Sequence, residues 1–235
     1  MDVIVIEGPS RLEGTVSVSG AKNSILPIMA ATILAKGMCI LKNVPDVSDM
    51  HTMCKILKAL GARVTYSSDH VLQIDTAGIN KNVADYKHVS TMRASVCLLG
   101  PLLARFKKAH VSLPGGCVIG PRPIDLHLKG MKAMGAQITL EHGYVIADAT
   151  KSGLKGTRMY LGGSFGSSVL ATGNILMAAV YATGKTTIVN AACEPEVIDL
   201  GRFLMKMGAK IEGLGSPVIT ITGVKKLTGC EFEII

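Results

Sequence analysis

The feature that most constrains this chain is that it repeats. Gly-Ala followed by a β-prone run occurs at Gly61-Ala62-Arg63-Val64, Gly135-Ala136-Gln137-Ile138 and Gly208-Ala209-Lys210-Ile211, at spacings of 74 and 73 residues. A recurring motif of this kind means one supersecondary unit used three times, so whatever the first unit folds into the others must also fold into. Each Gly-Ala closes an amphipathic run that opens on an acid: residues 49–60, 125–134 and 199–207. Apolar residues at helical spacing (Met53, Ile56, Leu57, Leu60), an acid where a helix start wants one and a glycine after the last turn predict a capped surface helix in every unit.

Upstream of each surface helix lies a more uniformly apolar stretch, residues 24–35, 94–105 and 168–182. Small residues such as Ala30, Ala31, Ala94, Ala178 and Ala179 let backbones approach closely, which predicts three buried helices. A strand follows each (38–41, 110–113, 186–189), and paired strands follow each Gly-Ala (63–66 with 71–75, 137–140 with 144–147). The unit therefore reads strand, helix, strand, helix, strand, strand. A linking signature recurs at Leu12-Glu13-Gly14-Thr15, Leu154-Lys155-Gly156-Thr157 and Leu227-Thr228-Gly229-Cys230. It leads first into an expected strand at 15–19 and last into Glu231 to Ile235, where the sequence stops one strand into a fourth unit, as if a longer protein continued. The Gly184-Lys185-Thr186 triplet is not a phosphate loop: Ala179 stands where the first glycine is needed, and the repeat aligns it with Ala35-Lys36-Gly37.

A formal charge of +8 with only 18% charged residues points to an anionic partner. Nucleic acid is disfavoured, because the cations are scattered, there is no Trp and aromatics make up 4%. Small phosphorylated ligands fit better. Six cysteines (Cys39, Cys54, Cys97, Cys117, Cys193, Cys230) without CxxC or metal-like spacing read as free thiols of a reducing cytoplasm. The opening residues do not form a signal peptide, and the longest apolar run, 25–35, is too short to span a bilayer, so no membrane partner is expected.

One stretch interrupts the repeat with unusual chemistry. Pro114, Gly115, Gly116, Gly120, Pro121 and Pro123 crowd the segment from Leu113 to Leu128, which excludes helix or central strand and predicts a shaped, mobile loop. Cys117 sits at its centre, five residues before Arg122, a cation that favours the thiolate. A reactive thiol is the reading preferred here; a buried, inert cysteine is the other.

Five motifs in order carry a resemblance over the whole chain: Ala21-Lys22-Asn23-Ser24, Thr91-Met92-Arg93-Ala94-Ser95, the Pro-Gly-Gly-Cys loop, Arg122-Pro123-Ile124-Asp125-Leu126-His127 and Ala191-Ala192-Cys193-Glu194-Pro195-Glu196. With them the chain resembles the UDP-N-acetylglucosamine 1-carboxyvinyltransferases, cytoplasmic enolpyruvyl transferases that open peptidoglycan synthesis and so serve cell-wall growth, shape and division. The resemblance implies an inside-out α/β fold of βαβαββ units, three around a pseudo-threefold in each of two domains, with the site in the cleft between them. On that pattern residues 22–223 form one complete domain. Residues 1–21 and 224–235 are edge pieces of a second, whose remainder is a missing C-terminal half, so that this chain alone would be inactive.

The same resemblance implies the roles. Lys22 and Arg122 hold phosphoenolpyruvate; Asn23 supports the sugar side; Arg93 with Arg122, Pro123, Ile124, Asp125 and Leu126 contacts UDP-N-acetylglucosamine. Cys117 delivers a proton to phosphoenolpyruvate and is the residue that fosfomycin alkylates. Ser164 and Phe165 belong to the uridine side, where Ser164-Phe165-Gly166-Ser167-Ser168 departs from the common Ser-Val-Gly-Ala-Thr. No metal or cofactor is implied. Asp125 serves equally well as the cap of its helix, and His127 reads as a polar surface residue. The runner-up readings are a 3-phosphoshikimate 1-carboxyvinyltransferase, which lacks the Pro-Gly-Gly-Cys loop, a non-catalytic module for phosphorylated ligands or RNA, and a redox role for Cys117.

Overall fold

The structure is a computed structural model describing residues 3–84, 89, 92–113, 124–164 and 166–235, with Arg93 followed in its backbone only. Three four-stranded sheets share one plan. In each, a short edge strand runs parallel to the strand after the inner helix, and two antiparallel strands complete the order. The second unit has β4 (Val83–Ala84), β5 (Lys108–Ser112), β7 (Tyr144–Asp148) and β6 (Gln137–Glu141) side by side. The third has β8 (Arg158–Tyr160), β11 (Lys185–Val189), β13 (Val218–Thr222) and β12 (Lys210–Glu212).

The first sheet, β1 (Met38–Lys42), β3 (Leu72–Asp75) and β2 (Arg63–Tyr66), takes its parallel edge from the far end of the chain. There β14 (Glu231–Glu233) pairs Ile40 with Glu231, Leu41 with Phe232 and Lys42 with Glu233. This corrects one expectation. Residues 15–19 form no strand, and Val16 and Val18 are 87% and 88% exposed. At the far end of the chain Leu227 and Ile234 are buried in the core, and the Ile234 N–H donates to Lys42 O at 3.1 Å. The edge position beside β1 can hold one strand, and β14 occupies it.

Among the described residues six α-helices of eight or more residues divide into two kinds, as the repeat predicts. The inner ones are α1 (Lys22–Ala31), α3 (Leu99–Phe106, entered through a 3-10 turn at Arg93–Leu98) and α5 (Val169–Ala179). Every residue from Ser24 to Ala31 and from Ala171 to Ala179 is buried, the state expected of helices apolar all round. The outer ones are α2 (Ser48–Leu60), α4 (Asp125–Ala133) and α6 (Pro195–Lys206), each with one buried face. All three end alike: Gly61, Gly135 and Gly208 adopt φ of 112°, 94° and 112°. The following alanine N–H then reaches back to Leu57, Met131 and Leu204 O at 2.9, 3.0 and 2.9 Å. That is the six-residue helix stop that only glycine enters without strain.

The third outer helix starts earlier than the acid signal implies. α6 opens on Pro195, a proline in the first turn, with Glu196 as its early acid, and Asp199 lies one turn inside, 2% exposed. Gly184, at φ 92°, turns from helix to strand β11, so the Gly-Lys-Thr triplet has the opposite polarity to a phosphate loop. A buried seam joins the first two units. From the end of α3, Arg105 donates to Ile33, Ala35, Thr76 and Ile79 O at 2.8, 3.1, 3.2 and 3.1 Å. Among the described residues no helix is long and apolar enough to cross a membrane.

Candidate functional site

Lys22 and Asn23 open α1, both exposed. The Ala21 cap provides no side-chain acceptor, so the first-turn N–H groups and the helix dipole present positive charge there. Lys22 Nζ lies 3.2 Å from Asp49 Oδ2 in the first turn of α2, which sets two helix starts side by side. The next residue, Ser24, points the other way. Its hydroxyl donates to the buried Asp199 carboxylate, which also accepts the Ile235 N–H at 3.5 Å, and burial pushes the Asp199 carboxyl above its ordinary range. Ala21 N–H donates to Ile235 O at 2.6 Å.

The first turn of α4 carries Ile124, Asp125 and Leu126. Asp125 is exposed at the helix start without a side-chain capping bond, and Leu126 is buried. Leu126 packs toward the hairpin of β9 (Gly162–Gly163) and β10 (Gly166–Ser167), where a Cβ built on Gly163 would stand 3.7 Å from its Cδ2. Lys129 ties the same helix to the hairpin, its ammonium 3.5 Å from Gly162 O and 5.6 Å from the Tyr160 ring centroid. Ser164 is exposed at the hairpin tip. The structure thus sets the start of α4, which carries Ile124, Asp125 and Leu126, against the hairpin that carries Ser164 through Leu126 and Lys129, and Lys22 with Asn23 stand at a separate helix start. Among the described residues no hydrogen bond or ion pair links the two groups. Cys117, Arg122, Pro123 and Phe165 lie outside the described residues, as does the Arg93 side chain.

Beneath α4 is an arrangement that the sequence reading missed. His127 is not a surface residue but 4% exposed, and its Nδ1 lies 2.8 Å from Asn174 Nδ2. Asn174 has only one orientation open to it: its Oδ1 accepts the Gly100 N–H at 2.7 Å and its Nδ2 donates to Val96 O at 2.8 Å. The second amide hydrogen therefore points at Nδ1, which must be the unprotonated acceptor, leaving the ring proton on Nε2. Burial pushes the His127 pKa down to about 4, against a smaller upward pull from Asp125. Small residues make room for this contact. A Cβ on Gly100 would stand 2.3 Å from Asn174 O, and one on Gly130 2.5 Å from Ile175 Cδ1. The signal available in the sequence was Asn174, an amide on an inner helix whose only other hydrogen-bonding side chain is Thr172.

The described cysteines, Cys39, Cys54, Cys97, Cys193 and Cys230, are free thiols. Burial pushes Cys54 and Cys230 up to about 11 and Cys97 to about 12, which makes them poor nucleophiles.

A sequence-family model described as EPSP synthase (3-phosphoshikimate 1-carboxyvinyltransferase) matches residues 6–235. The chain is 53% identical over its full length to UDP-N-acetylglucosamine 1-carboxyvinyltransferase 2 of Carboxydothermus hydrogenoformans, and 50% identical to UDP-N-acetylglucosamine 1-carboxyvinyltransferase of Methylacidiphilum infernorum. It spans 55% of the length of each. Among solved structures, the enolpyruvyl transferase NikO from Streptomyces tendae matches 97% of the chain with a TM-score of 0.83 at 24% identity, over 53% of its own length. An EPSP synthase from Acinetobacter baumannii matches 94% with a TM-score of 0.72 at 19% identity, over 49% of its own. These two likenesses concern the fold.

Proposed function

Because the chain belongs to the EPSP synthase (3-phosphoshikimate 1-carboxyvinyltransferase) family, whose model spans residues 6–235, we propose that it supplies one wall of an enolpyruvyl transferase that joins phosphoenolpyruvate to UDP-N-acetylglucosamine. The observation that carries the nucleotide sugar over shikimate 3-phosphate is the 53% identity, unbroken over 235 residues, to a relative named for that substrate. The other wall comes from the length that the relatives have and this chain does not span.

In the reaction, the sugar 3-hydroxyl gives its proton to a base of the other wall as its oxygen bonds to C2 of phosphoenolpyruvate, and C3 gains a proton from the Cys117 thiol. The tetrahedral ketal then returns a C3 proton to the Cys117 thiolate and releases phosphate from C2, leaving the vinyl group on the sugar oxygen. Cys117 is the acid that protonates C3. Lys22 and Arg122 neutralise the phosphoenolpyruvate phosphate and carboxylate, Lys22 exchanging its Asp49 partner for the ligand. Asn23 lies against the sugar; Arg93 and Arg122 to Leu126 hold the diphosphate and uridine side, with Ser164 and Phe165 closing over it. Leu126 beside the exposed hairpin that carries Ser164 supports that division of labour, since an apolar side chain next to exposed polar groups suits a base next to a phosphate.

Titrating UDP-N-acetylglucosamine and shikimate 3-phosphate separately against the chain by calorimetry tests the substrate. Binding of the nucleotide sugar alone is expected, and preference for shikimate 3-phosphate would refute the reading. Phosphate release by the isolated chain is expected to be undetectable, because charges from both walls supply most of such catalysis. Fosfomycin should add once by mass, and not to Cys117→Ser; an unchanged adduct on that variant would remove Cys117 from its role.

A further inference from the structure

We propose that the His127–Asn174 pair is a positioning device that fixes the first turn of α4, and with it Ile124, Asp125 and Leu126, against the other two elements of the nucleotide-sugar side. The pair stands where those elements meet. His127 belongs to α4, immediately after the three site residues. Asn174 belongs to α5, the helix that follows the Ser164 hairpin. The carbonyl and amide that hold Asn174, Val96 O and Gly100 N, belong to the 3-10 turn and helix that Arg93 opens. One buried amide thus makes three bonds, two at 2.7 and 2.8 Å to the segment that Arg93 opens and one at 2.8 Å to α4, and its own helix follows the Ser164 hairpin, so three elements of the proposed substrate wall meet at it.

The geometry tolerates little slack. α4 meets α5 through Gly130, whose missing Cβ would fall 2.5 Å from Ile175, and α3 meets α5 through Gly100, whose Cβ would fall 2.3 Å from Asn174 O. Close backbone approach sets the separation of the helices, but leaves α4 free to rotate or slide along α5. A directional bond from His127 Nδ1 to an amide that cannot turn removes that freedom. An apolar pair of equal volume would preserve the packing and lose the register, a distinction that a purely structural role does not draw. This inference rests on the proposed nucleotide-sugar reading for its functional consequence, and not for the geometry.

The experiment compares the 235-residue chain with His127→Leu, His127→Asn and Asn174→Asp. Two readouts apply: affinity for UDP-N-acetylglucosamine by calorimetry, and amide exchange at Leu128, whose N–H closes the first turn of α4 onto Ile124 O at 3.2 Å. His127→Leu should weaken binding by about 10- to 100-fold, the cost known for outer partners that orient metal ligands, and should speed Leu128 exchange. His127→Asn keeps an acceptor near the position of Nδ1 and should recover most of both. Asn174→Asp removes the donor facing Nδ1, so the ring proton should move from Nε2 to Nδ1, visible in the ring ¹⁵N shifts, with affinity falling as well; this variant decides the matter if His127→Leu does not fold. Unchanged affinity and exchange in His127→Leu, or failure of a folded His127→Asn to recover either, would overturn the proposal. If the unaltered chain binds no UDP-N-acetylglucosamine, the substrate reading falls, and Leu128 exchange with the ring ¹⁵N shifts still decides whether the pair positions α4.

Discussion

Acidification should destabilise this fold through one ring. In the unfolded chain His127 titrates near its ordinary value of about 6.5, whereas in the folded chain burial holds it near 4. Between those values the unfolded state binds the proton and the folded state does not, so stability is complete above about pH 6.5 and declines as the pH falls toward 4. Integrating the difference gives a loss of about 2 kcal/mol at pH 5 and about 3 kcal/mol at pH 4. The structural reason is the fixed amide: protonating Nδ1 would set two donors face to face, and Asn174 cannot turn without abandoning Val96 O and Gly100 N–H.

Other groups titrate over the same range, with opposing signs. The Asp199 carboxyl, raised by burial, adds stability as the pH falls; Asp75, Asp148 and Glu231, lowered mainly by their hydrogen bonds to Arg63, Thr150 and Lys42, lose it. All four remain in His127→Asn, so the difference between the two proteins isolates the ring. Urea unfolding of both at pH 7, 6 and 5 is the assay. The unaltered chain should lose about 2 kcal/mol more than the variant between pH 7 and 5. Curves that stay parallel within about 0.5 kcal/mol, the scatter of independent sites, would refute the reasoning.

Arg105→Leu should cost about 2–4 kcal/mol in urea unfolding, since four carbonyls preceding β4 lose a charged donor supplied by the second unit. Arg105→Lys should recover less than half, because one ammonium cannot span the sites that the fork reaches. Gly100→Ala should destabilise by about 1–3 kcal/mol rather than gain helix propensity, because its Cβ meets backbone that cannot yield; a neutral or stabilising result would contradict the close α3–α5 contact. A neutral maleimide at pH 7, followed by peptide mass, should modify the exposed Cys193 in the folded chain well before Cys39, Cys54, Cys97 or Cys230.

What the sequence discloses and what it withholds divide along a physical line. The helix stops at Gly61, Gly135 and Gly208 were legible because each is a local event: a chain that must enter the left-handed region needs glycine there, and the surrounding apolar spacing identifies the helix being ended. The division into inner and outer helices was legible for the same reason. The partner of β1 was not, since an edge position is awarded by competition between segments distant in sequence, and residues 15–19 and 231–233 both carry the short pattern that could take it. Asp199 shows how a local rule misleads. An acid at the head of an apolar run reads as a cap, yet Pro195 starts that helix one turn sooner and leaves the carboxylate inside, where Ser24 becomes its donor from 175 residues away.

The candidate site follows the same division, with consequences for how such sites are found. Lys22, Asp125 and Ser164 stand out as residues because polar groups at helix starts and hairpin tips are conspicuous in a sequence. His127 did not, since beside Asp125 and Lys129 it continues what looks like a solvated face. The third unit discloses its role, by presenting Asn174 from a buried helix whose other polar side chain, Thr172, already accepts the Ala192 N–H. A polar residue on a buried helix must find a partner, because leaving it unpaired costs about 1–3 kcal/mol. That requirement turns Asn174 into a pointer: it specifies that some other unit must offer an acceptor at the same depth. In a protein built of three similar units, the polar residues that break the likeness inside the core are therefore the ones to follow outward, and here the path from Asn174 leads through His127 to Asp125 at the surface.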